Sequence, residues 1–139
     1  MQNKMIKLYF YFLLILLLFS LCGKYPQSVS KVIINSKLID SSNNNIIVYN
    51  EKLYMSTFFL EKHLDLEVKE LIEGEQYGVC MGELCIPFTV GRNEGDMIVI
   101  LKEYYFPVDI LSNAFGWKYT WEKKENVLKL NIPGIKSDY

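Results

Sequence analysis

Two kinds of apolar pattern divide the chain. Leu8–Leu21 (LYFYFLLILLLFSL) is a run of 14 uncharged, almost wholly apolar residues, preceded by Lys4 and Lys7 and no acid. A helix of that length spans about 21 Å, short of the ~30 Å hydrocarbon core of a bilayer, and matches the apolar region of a secretory signal. Beyond it, apolar residues come in short alternating groups separated by polar turns, the signature of strands, with two brief stretches at helical spacing.

The body repeats itself. Sliding it by 51 residues lays Ile46–Val68 on Met97–Tyr119 without a gap. Few positions are identical, and the shared pattern carries the weight. Each unit reads as a short apolar strand, a polar turn (Tyr49–Lys52 or Leu101–Glu103) and a second strand, followed by a helix start. Ser56 suits the N-cap of the first helix, while Pro107 fits the first helical position of the second, with Asp109 at the positive end of its dipole. Phe59/Leu60/Leu64 and Ile110/Leu111/Phe115 form the buried stripes, and Asp65 and Gly116 end the helices. Hairpins follow, Leu66–Leu71 with Tyr77–Met81 and Trp117–Glu122 with Val127–Asn131, and a further hairpin, Lys31–Asn35 with Leu38–Ile39, stands in front. The pattern predicts an α+β fold, two related β-strand/short-helix/β-hairpin units forming antiparallel sheet packed on short helices. Its organisation is a signal peptide over 1–22, a tether over 23–30, a domain over 31–132 with halves at about 31–90 and 96–132, and a tail over 133–139.

Leu18-Phe19-Ser20-Leu21-Cys22-Gly23 resembles a bacterial lipobox, in which the cysteine becomes the lipidated first residue of the mature chain. Leu21 stands where that motif carries Gly, Ala or Ser. The alternatives are ordinary cleavage after Cys22 and retention as a short uncleaved anchor. Each puts the body outside the cytoplasm, in or beyond the cell envelope, with the membrane as partner through the N-terminal segment or its lipid.

Phe106-Pro107-Val108-Asp109-Ile110-Leu111-Ser112-Asn113-Ala114-Phe115-Gly116-Trp117-Lys118-Tyr119-Thr120-Trp121, with Asn126–Leu130 after it, resembles the copper amine oxidase N-terminal-like (stalk) domain. Val32–Ile39 is similar to the opening hairpin of that family, with Ser36 where glycine is usual. Val108-Asp109 replaces the arginine the family often shows after the proline, and the first unit has no proline. The family's copper and quinone sites lie in a separate catalytic domain, so the resemblance implies an exported, non-enzymatic accessory module.

Composition narrows the chemistry. The chain has 139 residues, 22% of them charged, and a formal net charge of −1; the part after residue 22 holds 13 basic and 16 acidic residues. Arg92 is the only arginine, so no basic face for a phosphate backbone stands out and nucleic acid is excluded as a partner. One histidine and three cysteines make no standard zinc set, and neither a phosphate loop nor a nucleophile elbow is present. No cofactor is expected.

Three groups of residues remain as candidates. Cys80-Met81-Gly82-Glu83-Leu84-Cys85 has C-x4-C spacing. A disulfide suits an oxidising compartment, and Gly82-Glu83 as a two-residue II′ turn places Cys80 opposite Cys85 in a non-hydrogen-bonded pair with Cα atoms about 4.5 Å apart. A soft-metal site for Cu(I) from Cys80, Met81 and Cys85 and a redox-active thiol pair are the alternatives. His63 falls on the apolar stripe of the first helix, where a packed ring with its tip toward solvent is expected. Trp117, Tyr119 and Trp121 alternate along a strand and share a face, either as core cover or as an aromatic platform for a glycan or an envelope protein.

Overall fold

A computed structural model describes residues 2–20, 25–39 and 45–134. The leading apolar run forms helix α1 (Gln2–Ser20). Twelve strands and two short helices follow among the described residues: β1 (Gln27–Ser28), β2 (Lys31–Ile34), β3 (Lys37–Ile39), β4 (Ile46–Tyr49), β5 (Lys52–Ser56), α2 (Thr57–His63), β6 (Glu67–Ile72), β7 (Gln76–Met81), β8 (Leu84–Thr89), β9 (Ile98–Ile100), β10 (Glu103–Pro107), α3 (Val108–Phe115), β11 (Lys118–Glu122) and β12 (Val127–Asn131). The fold is α+β, as the alternation predicts.

The repeat is real in three dimensions. Tight turns at Asn50-Glu51 and Leu101-Lys102 close β4/β5 and β9/β10, each with positive φ at both central residues, the type I′ geometry that matches strand twist. The two hairpins then join through β5 and β10, antiparallel, in a sheet ordered β1-β4-β5-β10-β9. Its register pairs Met55 with Phe106, Tyr54 with Pro107 and Ser56 with Tyr105. Met55 and Phe106 are themselves equivalent in the sequence repeat, so exchanging the halves maps this pairing onto itself. A local two-fold axis therefore passes through the Met55/Phe106 pair, and both side chains are fully buried.

Helix α2 packs on β5 and β10, and α3 on β10 and β5, so each helix touches the other half's strand as well as its own. Ser56 caps α2 by accepting from the Phe59 amide, 3.1 Å, and donates to the buried Asn45 side chain. Gly116 ends α3 at φ +72, a left-handed value that glycine adopts without cost. Asp65, φ +53, follows the C-cap Leu64 of α2. Pro107 is the N-cap of α3 and the last residue of β10, one position earlier than the first helical place expected for it. The stripe of α3 is also rotated. Val108, Leu111, Ser112 and Phe115 are buried while Ile110 is half-buried, although its equivalent in α2, Phe59, is fully buried.

The other two sheets close the core. One is ordered β6-β7-β8 and the other β11-β12-β2-β3. In the latter β12 and β2 run parallel, in a set expected to be antiparallel. Asparagines clamp both ends of this pairing. Asn126 donates to the Ser28 carbonyl at 2.8 Å, and its own carbonyl accepts from the Ser30 and Lys31 amides. Asn35 donates to the Ile132 carbonyl at 3.0 Å and accepts from the Ile132 amide at 2.8 Å. The front hairpin thus belongs to the sheet of the second half. The expected tether needs correction as well: Gln27–Ser28 pairs with β4 and Val29 is 2% exposed, so the domain reaches back to about residue 25.

Candidate functional site

The cysteine hairpin forms as its spacing demands. In the β7/β8 register Met81 faces Leu84 and Cys80 faces Cys85. Gly82 has φ +61 while Glu83 is not left-handed, which fits a II′ rather than a I′ turn. The two sulfurs are bonded, with Cα atoms 4.0 Å apart, close to the spacing of a non-hydrogen-bonded pair. Cys80 is 2% exposed and Cys85 lies open to solvent. The three-sulfur copper set is not assembled, because each cysteine sulfur is tied to the other and Met81, adjacent to Cys80 in β7, points to the opposite face of the strand. Among the described residues no group of three or more His, Cys, Asp and Glu side chains is placed to hold a metal ion.

His63 packs at 4.9 Å between ring centroids against Phe59 and is partly exposed. Burial, and secondarily the neighbouring Lys62 charge, lower its pKa below the usual 6.5. Its place is that of a packed ring.

The three aromatic residues separate. Trp117 precedes β11, is 6% exposed, and stacks on Phe115 at 5.5 Å. Tyr119 and Trp121 pair across the sheet with the buried Leu130 and Leu128, so both lie on the core side of an edge strand. Tyr119 remains 39% exposed and Trp121 half-buried. Trp117 and Tyr119 border a shallow hollow beside Asp109, Ser112 and Asn113. Trp121 borders another, of 540 Å³, with Tyr25, Gln27, Val48, Asn50, Glu51 and Lys123. The Lys123 ammonium stands 5.2 Å over the Trp121 ring. The left-handed Gly116 turns Trp117 into the core, and no continuous three-ring platform results.

A polar chain escaped sequence reasoning. Tyr77 and Tyr104 lie with ring centroids 4.7 Å apart, their hydroxyls 3.2 Å apart, and the Tyr77 hydroxyl is 2.9 Å from the Glu70 carboxylate. Tyr77 has one proton to give, and the carboxylate can only accept, so the proton order is Tyr104 to Tyr77 to Glu70. The chain ties β6 and β7 of the first half to β10 of the second. Tyr104 was visible only as one of two adjacent tyrosines, and no local spacing links residues 70, 77 and 104.

Cys22 lies outside the described residues. No helix among the described residues is long and apolar enough to cross a membrane. No known protein family, curated protein or solved structure matches the chain.

Proposed function

We propose that the protein is an exported, non-enzymatic binding or structural module held at the outer face of the membrane by its N-terminus, similar in kind to a stalk domain. The observation that carries this reading is α1: over Met5–Leu18 its large apolar residues are 46–77% exposed all round the helix, an apolar surface turned to the surroundings. A helix apolar on every face needs an apolar surrounding, which the export machinery or a lipid provides. The Cys80–Cys85 bond adds support, since disulfides persist in oxidising compartments. Cell fractionation with intact mass of the mature protein tests it. A lipidated N-terminal Cys22, lost together with detergent partitioning in Cys22→Ala, is the expected result. A mature cytoplasmic protein that keeps Met1 refutes export.

A second reading, thiol exchange, draws on the exposure of Cys85 beside the buried Cys80. An incoming thiolate would reach Cys85 and release Cys80. A fully closed pair under the cell's own redox conditions rejects it.

A further inference from the structure

We infer that the surface bearing Tyr25, Trp121 and Lys123 rests on the phospholipid headgroups of the membrane that anchors the chain. This rests on the anchored reading above and adds an orientation to it. The first argument is reach. Only four residues separate Ser20, the end of α1, from Tyr25, the first described residue of the domain. At about 3.5 Å per residue, the five steps from Ser20 to Tyr25 span at most about 18 Å, and the three from Cys22 only about 10 Å. With β1 paired to β4 and Val29 in the core, nothing after Tyr25 is available to lengthen the link. Whichever of the two anchors holds the chain, the surface next to Tyr25 cannot leave the bilayer.

The second argument is the chemistry of that surface. Tyr25 is 80% exposed, Trp121 is half-buried, and Lys123 lies over the indole. The exposed Tyr25 presents an apolar body with a polar tip and settles at headgroup level, and the Lys123 ammonium reaches phosphate from there; Trp121 turns its indole N–H inward, where it is buried, and offers the rim only the part of its ring that stays open beneath Lys123. The β4/β5 turn at Asn50-Glu51 forms the rest of the rim. Lys123 and Lys124 are offset by Glu51 and Glu125, and Glu122 is already paired with Lys129 at 3.0 Å. The contact therefore depends on the short link and the aromatic side chains rather than on net charge, and is insensitive to the fraction of anionic lipid.

The experiment uses the full lipidated chain reconstituted in phosphatidylethanolamine/phosphatidylglycerol vesicles carrying a nitroxide on the lipid headgroup. Trp117→Phe leaves Trp121 as the reporter, and Trp121→Phe leaves the buried Trp117 as control. About a twofold loss of Trp121 emission is expected, because its half-buried ring borders the rim beside Tyr25 and beneath Lys123, with little change for the buried Trp117. Spin labels at Tyr25→Cys and at Lys118→Cys, the opposite end of β11, repeat the comparison without touching the core; only the first should be shielded from an aqueous relaxation agent. Equal responses at the two positions, or none, in protein that floats with the vesicles would overturn the orientation while leaving the anchor intact. Retention of the Trp121 surface on purified peptidoglycan with no quenching in vesicles would overturn it as well. Protein that fails to float refutes the anchor, and the orientation with it.

Discussion

Leu60 and Leu111 are the sharpest test of the repeat, because they occupy equivalent places and both are 0% exposed. Leu60→Ala or Leu111→Ala removes three carbons from the core, and at about 0.8 kcal/mol per buried CH2 this loses about 2.4 kcal/mol. A residual cavity of about 60 Å³ at about 24 cal/mol per Å³ adds about 1.4 kcal/mol where the surroundings do not collapse. Each helix is pinned between strands of both halves, which leaves little room for collapse, so a loss of about 3–4 kcal/mol is expected at each site. Urea unfolding followed by tryptophan emission reads this as a midpoint about 2 M lower, for a slope of about 1.5–2 kcal/mol per M. Phe59 and Ile110 supply the contrast. The sequence repeat makes them equivalent, yet Phe59 is fully buried and Ile110 only half-buried. Phe59→Ala should cost about 3–5 kcal/mol and Ile110→Ala well under half of that. A loss below about 0.5 kcal/mol at either leucine would contradict the core placement argued here. Equal costs for Phe59 and Ile110 would contradict the rotated stripe of α3.

Opening the staple with Cys80→Ala/Cys85→Ala should lower stability by about 2 kcal/mol, the entropy of a six-residue loop, without loss of the fold, as denaturation midpoints will show. Asn126→Ala loses the side-chain bonds to Ser28 and Ser30 and puts alanine at φ +55, a left-handed value that asparagine tolerates better; about 1–3 kcal/mol should be lost by the same measurement, and less than about 0.5 would deny the clamp. Because the folded state lowers the His63 pKa, the unfolded chain binds more protons just below pH 6.5. Stability contributed by this group is therefore full above that pH and is lost as pH falls toward the lower folded value. His63→Gln should flatten the stability profile there, and an unchanged slope would deny the burial of the ring. The cross-packing of helices and strands predicts one cooperative transition for the domain, and residues 96–132 expressed alone should show no cooperative unfolding.

Local chemistry was enough for most elements. Short apolar runs in Ile46–Tyr49 and Glu103–Pro107, the Ser56 cap, the Gly116 stop and the Gly82-Glu83 turn all act within a few residues, so their outcome is written in neighbouring positions. The Cys80–Cys85 pairing follows the same logic, because a two-residue turn leaves one register for the pair. Even the two-fold arrangement had a trace, the offset of 51 residues, although the pairing of Met55 with Phe106 across it was not implied by the offset. The tertiary structure alone decided what depends on distant partners. Gln27–Ser28 looks like linker because a two-residue strand has no periodicity of its own, and it becomes strand only when β4 offers its edge. The parallel β2/β12 pairing needs residues almost a hundred positions apart and two asparagines whose isolated sequence context says only turn. The aromatic trio shares a face by alternation, yet Gly116 turns Trp117 inward, and the fold leaves Trp121 beside Tyr25 instead. Spacing fixes which side of a strand a residue takes; which neighbour it meets there is settled by how the sheets and helices pack together.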